Sequence, residues 1–190
     1  SKDVFGIQPD IIVCAKGLTS GYQPLGATIF SSEMYDVISE ADHDRWFTNG
    51  FTYSGHPVAC AAGLKNIEIM ERENLLEHVK EIGPYFMEQL ATLKDLPTVG
   101  EVRGMNFMAC IENVANSETK EEFDHSVNIG KRISNAAEER GLIVRPVGNL
   151  NVLSPVLTLT KDQVDDIVSI LRDSMLAVVE DLKNEGKLAA

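Results

Sequence analysis

The apolar run Ile11-Ile12-Val13-Cys14-Ala15 stands between Pro9-Asp10 and Lys16-Gly17. A short continuous apolar run with such borders predicts a fully buried strand, of the kind that fills a parallel sheet. A second strand is predicted near Ala27 to Phe30, and a short helix from Ser32, with Ser32 as cap and Met34, Val37 and Ile38 facing inward. Residues 43 to 57 read as a loop, with Asn49-Gly50 as a turn and an aromatic cluster of Trp46, Phe47, Phe51 and Tyr53. A long helix is predicted from Pro57, because proline suits a first helical position whose N–H would be unpaired anyway. Its first turns carry small residues that permit close packing, and Lys65, Glu68 and Arg72 recur at helical spacing on its wet face.

From about Glu73 the pattern changes to longer amphipathic helices ending at Pro97, which places a domain transition near residue 78. Residues 1–78 and 79–190 are the expected domains. Two strands are predicted within Thr98 to Glu112. A helix is predicted from Thr119, where Glu122 completes a T-x-x-E capping box, to Gly141. The stretch LIVRPVGNLNVLSPVLTLT predicts strands around a Gly148-Asn149 turn. A last helix starts at Thr160, with Gln163 completing a second capping box and Val164, Ile167, Leu171, Met175, Val178 and Leu182 as its core stripe. The fold class is α/β, followed by a smaller α+β unit.

Charge narrows the functions. The 190 residues carry 29 acidic and 17 basic side chains, a net charge of -12, with no basic stripe. Nucleic acid and anionic membranes are therefore not expected partners, since binding them requires clustered cations. Three cysteines in apolar contexts, Cys14, Cys60 and Cys110, fit a reducing compartment better than a disulfide framework, and a cytoplasmic location is expected. No apolar run reaches membrane-spanning length. The opening SKDVFGIQPD supplies no neighbouring strand for Ile11 to Ala15, so the chain reads as the later portion of something larger.

Three places could carry chemistry. Lys16 leaves an apolar strand at its carboxyl end, where ligands bind in open α/β sheets, and Gly17 and Gly21 allow a ligand to approach the backbone. A lysine partly stripped of water there becomes a nucleophile; the plain alternative is a solvated lysine at a strand end. Thr52-Tyr53-Ser54, just ahead of a helix, offers hydroxyls and N–H groups to an anion such as phosphate, although a capped helix start has the same composition. Arg145 interrupts the apolar strand LIVRPV, and its guanidinium suits capture of a carboxylate; alternation with Val144 fits an outward-facing residue equally. Arg103 reads as structural and His56 as a capping or packing residue. His56 has no partner at metal-ligand spacing, and no metal is expected.

Together, PDIIVCAKGLTSGYQPLGA, GFTYSGHPVACAAGL and RGLIVRP resemble, in this order and across essentially the whole chain, the class III (omega) aminotransferases. These are fold-type I enzymes that use pyridoxal 5'-phosphate. The resemblance implies that residues 1–78 end the large cofactor-binding domain, with a mainly parallel sheet, and that residues 79–190 form the small C-terminal domain. It implies that Lys16 forms a Schiff base with the cofactor aldehyde and then moves a proton as general base and acid. It implies that Thr52 binds the cofactor phosphate across a homodimer or tetramer interface, and that Arg145 pairs with a substrate carboxylate. The implied activity transfers an amino group from an amine or omega-amino acid to an oxo acid such as pyruvate. Alternatives are the 4-aminobutyrate or ornithine type, a glutamate-1-semialdehyde aminomutase, or a non-catalytic piece of the fold. The family's aspartate for the pyridine nitrogen, its ring stacker and its phosphate turn precede the motif that opens this chain, so a competent site is expected only with an N-terminal portion.

Overall fold

A computed structural model describes residues 2–39 and 47–188. Trp46, which the sequence groups with Phe47, Phe51 and Tyr53, lies outside the described residues. The chain divides between Glu73 and Asn74 into two units, a little ahead of residue 78. The α/β class stands, with helices and sheet in alternation.

The first unit holds α1 (Lys2–Phe5), β1 (Ile11–Cys14), β2 (Ala27–Phe30), α2 (Ser32–Ile38) and α3 (Pro57–Arg72). β1 and β2 pair antiparallel, from Ile11 opposite Phe30 to Cys14 opposite Ala27. The expected parallel partners are not observed: every strand pair among the described residues is antiparallel. Nor is β1 buried, since Val13 is 75% exposed and Ile11 and Ile12 are exposed with it. Its composition is that of a core strand, but among the described residues it has one strand neighbour. The cap of α2 is Ser31 rather than Ser32: the Ser31 hydroxyl accepts from the Met34 N–H at 3.4 Å. Met34 and Ile38 are half-buried there and Val37 is exposed.

Helix α3 starts at Pro57 and buries a face of small residues, Ala59 and Gly63. Its opposite face carries the Lys65–Glu68 pair, 2.6 Å apart, in solvent. A Cβ added at Gly63 would sit 3.0 Å from Leu25 Cδ2 and 3.8 Å from the Leu18 carbonyl, so the helix lies close against the segment after β1.

The second unit holds α4 (Leu75–Ala91), β3 (Val99–Met105), β4 (Met108–Asn116), β5 (Glu121–Glu122), α5 (Ile129–Glu138), β6 (Arg145–Val147), β7 (Leu150–Leu153) and α6 (Lys161–Asn184). The sheet order is β3-β4-β7-β6, with β5 paired to β4. Ala109, Ile111 and Asn113 alternate inward along β4, as in a sheet with one covered face. Pro146 is tolerated because β6 is an edge strand. Helices α4, α5 and α6 close the core, with Phe86 and Phe107 meeting edge to face at 5.9 Å.

Helix α6 follows its pattern: both bonds of the Thr160–Gln163 capping box form, and Val164, Leu171, Met175 and Leu182 are fully buried. The helix expected from Thr119 begins instead at Ile129. The Asn116 side chain accepts from the N–H groups of Glu118 and Thr119, Lys120 takes φ 61°, and Glu121–Glu122 turns back to pair with β4. A short turn capped by Asp124 intervenes, and the helix ends at Glu138, short of the expected Gly141, whose φ is 91°.

Candidate active site around Lys16

Lys16 opens a tight turn, Lys16–Leu18, directly after β1. Its side chain is exposed and its φ is 53°, in the left-handed region that L-residues rarely occupy. Such strain persists where neighbours enforce it, and it clusters at functional sites. Ser20 at φ 50° and Gly21 at φ 79° continue the irregular backbone. The turn's own N–H to carbonyl bonds are long, 3.2 Å for Leu18 to Ala15 and 3.3 Å for Thr19 to Lys16. Thr19, 2% exposed, anchors it from below, and its hydroxyl donates to the Gln23 carbonyl at 2.5 Å.

Helix α3 grips the same turn. Asn66 Nδ2 donates to the Gly17 carbonyl at 2.9 Å and to the Leu18 carbonyl at 3.2 Å, and the Ser20 hydroxyl donates to Asn66 Oδ1 at 2.7 Å. Sequence reading missed Asn66, whose polarity beside Lys65 suits a wet face. Its spacing was the available signal: Ala59, Gly63 and Asn66 fall on one helical stripe, so a polar residue stands on a packed face.

Thr52 lies in the turn Phe51–Ser54, five residues ahead of α3. Ser54 shapes this turn, accepting from the Phe51 N–H through its hydroxyl at 3.2 Å and donating its own N–H to the Phe51 carbonyl at 2.9 Å. Thr52 is exposed, and its hydroxyl makes no hydrogen bond among the described residues. His56 is the N-cap residue of α3 without a side-chain cap bond, and its ring lies 6.2 Å from that of Tyr53. A groove of about 530 Å³ nearby is lined by Phe30, Met34, Ile38, Phe47 and Phe51 among others, and among the described residues none of its lining side chains is ionisable.

Arg145 belongs to the second unit, exposed on β6 opposite Val152. Among the described residues it has no ion pair. Arg103 differs: it pairs with Glu101 at 2.9 Å and with Glu112, which accounts for it structurally. Burial pushes the adjacent Cys110 thiol up, so it is a poor thiolate nucleophile. Among the described residues no group of three or more His, Cys, Asp or Glu side chains gathers to hold a metal ion.

The donor set fits two parts of pyridoxal phosphate. A primary amine on a glycine-flanked turn, with open space where a Gly17 Cβ would lie, suits the aldehyde. The Thr52 hydroxyl, exposed in a turn that Ser54 shapes, suits the phosphate.

The class III aminotransferase family pattern matches residues 1–175. An uncharacterised aminotransferase of Sinorhizobium fredii is 42% identical over 187 residues, covering 96% of this chain and 40% of that protein. The diaminobutyrate–2-oxoglutarate transaminase of Halomonas elongata is 40% identical over 190 residues, 98% of this chain and 40% of its own length. The aminotransferase of Vibrio fluvialis, solved in its PMP-bound form, superposes with TM-score 0.85 at 35% identity, covering 94% of this chain and 40% of that one. The chain thus spans about 40% of the length of these relatives, and with residues 1–175 matching the family pattern it belongs to the class III aminotransferases.

Proposed function

We propose that the protein containing this chain is a pyridoxal-phosphate-dependent aminotransferase moving an amino group from an amine or omega-amino acid to an oxo acid such as pyruvate. The observation that carries the reading is Lys16: an exposed amine at the end of β1, held at φ 53° in a chain of this family. Lys16 Nζ is the attachment point for the cofactor aldehyde. When bound, the cofactor supplies the electron sink that lets a Cα proton leave. Lys16 Nζ would hold the cofactor aldehyde and, once free and neutral, would serve as the general base and then the general acid for the substrate Cα proton. Thr52 holds the phosphate, by the resemblance in the partner subunit's site of a homodimer. Arg145 orients the substrate carboxylate. We infer a cytoplasmic location from the three cysteines in apolar contexts; separately, among the described residues no helix is long and apolar enough to cross a membrane.

The Halomonas relative, named for 2-oxoglutarate, favours a second reading in which that acid replaces pyruvate as acceptor. Either acid presents a carboxylate to Arg145, so turnover with each separates the two.

The attachment is tested by borohydride reduction of the full-length protein with pyridoxal phosphate, followed by peptide mass analysis. A phosphopyridoxyl group on Lys16 is expected. No adduct, or one on another lysine, sinks the assignment.

A further inference from the structure

We propose that Asn66 is a positioning residue for Lys16: from the middle of α3 its amide locks the turn that aims the lysine. This rests on the reading of Lys16 as the attachment residue.

Three facts carry it. Lys16 sits in a conformation that an L-residue leaves unless something enforces it, φ 53°. The turn's internal hydrogen bonds, at 3.2 to 3.3 Å, lie at the long end of the normal range. Asn66 makes shorter ones from outside, at 2.9 Å to the Gly17 carbonyl and 2.7 Å from the Ser20 hydroxyl, with a third at 3.2 Å to the Leu18 carbonyl. Both ends of one amide are therefore committed to backbone and side chain on either side of Thr19, 48 and 49 residues away in sequence to the carbonyls it holds. Only an asparagine-like group does this, because the two carbonyls need N–H donors and the Ser20 hydroxyl needs an acceptor. Gly63, one turn earlier on α3, lets the helix come close enough for the short Asn66 side chain to reach.

Asn66 touches no reacting atom. Its effect passes through the turn: with the amide removed, Lys16 relaxes from the left-handed region and its Nζ samples more directions. Geometry of attack then suffers while substrate contacts remain.

The test uses the full-length protein with Asn66→Ala, and with Ser20→Ala as a milder variant that removes one of the three bonds at an exposed residue. In cofactor-free protein, amide exchange across Gly17 to Ser20 is measured. Asn66→Ala is expected to accelerate it about tenfold or more, with α6 unchanged, and Ser20→Ala to accelerate it less. After addition of pyridoxal phosphate, borohydride trapping on Lys16 is expected to slow about tenfold in Asn66→Ala. Its kcat is expected to fall with KM for the amine unchanged. Unchanged exchange in both variants, or wild-type trapping rates in Asn66→Ala, overturns the proposal. Should Asn66→Ala not fold, Ser20→Ala decides by the same two readouts. Absence of a Lys16 adduct in the unaltered protein defeats the attachment reading instead, whereas the exchange result still reports whether Asn66 holds the turn.

Discussion

Arg132 and Glu185, 53 residues apart, join α5 to the end of α6 through paired hydrogen bonds of 2.7 and 2.9 Å. The Arg132 guanidinium, with Lys187 at 2.5 Å, holds the Glu185 carboxyl down from an ordinary 4.5 to about 2. A carboxyl depressed on folding stabilises the native state in full above 4.5, and that contribution is lost as pH falls through about 2. Glu185→Gln is therefore expected to lower the thermal midpoint at neutral pH, by a few degrees at most because the pair is solvent-screened. The gap from the unaltered protein should close between pH 4.5 and about 2. Melting curves across that range check it, and a gap that persists undiminished at the acid end would contradict it.

Gly130 packs α5 against the β6–β7 turn. A Cβ there would lie 2.4 Å from the Gly148 carbonyl oxygen and 2.8 Å from that of Leu150, both backbone atoms that cannot swing aside. Asn151 also donates to the Gly130 carbonyl at 2.9 Å, so displacing α5 breaks a buried bond. Gly130→Ala is expected to cost about 3 kcal/mol, at the upper end of overpacking effects. Gly50→Ala, where a Cβ would meet nothing within 4 Å among the described residues, is the neutral control. Equal melting temperatures for the two variants would refute the packing argument.

The elements most legible in the sequence are those whose local signals agree. For α6, the capping box, the apolar stripe and the burial coincide. The Gly148-Asn149 turn is likewise where turn chemistry places it, between β6 and β7. The start of α5 was not legible, because T-x-x-E at Thr119 precedes no apolar stripe. The first large apolar side chains buried by that helix are Ile129 and Ile133, and the backbone ahead of it is captured by Asn116 and β4. The exposure of β1 was illegible for another reason: apolar composition reports a strand's affinity for a core, not which neighbours surround it. Lys16, Thr52 and Arg145 were readable as motif positions. The grip of Asn66 on the lysine turn was not, because it depends on a contact across 49 residues.

Arg145 stands exposed on an edge strand without an ion pair among the described residues. If Arg145 binds the substrate carboxylate as proposed, replacing it with alanine in the full-length protein would remove a charge-assisted hydrogen bond of about 1.5–3 kcal/mol. KM for the oxo acid should rise about tenfold to a hundredfold. A carboxylate-free amine donor should be unaffected, which separates loss of recognition from general damage. Equal KM for the oxo acid before and after substitution would remove Arg145 from the site.

Thr52 offers a hydroxyl on a turn that Ser54 has already shaped, so the phosphate binding we propose there would need no reordering of Phe51 to Ser54. Thr52→Ala should weaken cofactor affinity about tenfold, and Thr52→Ser, which keeps the hydroxyl, should largely restore it. Absorbance titration of the full-length protein with pyridoxal phosphate reads both. In the homodimer we propose, mixed dimers decide which subunit's site Thr52 serves. Pairing a Thr52→Ala subunit with a Lys16→Ala subunit leaves one complete site only if Thr52 acts on its partner's lysine. If it acts on its own, the surviving lysine faces the altered turn and no complete site exists. Recovery of normal cofactor affinity at half the sites is expected; a mixed dimer binding as weakly as Thr52→Ala alone would place Thr52 in its own subunit's site.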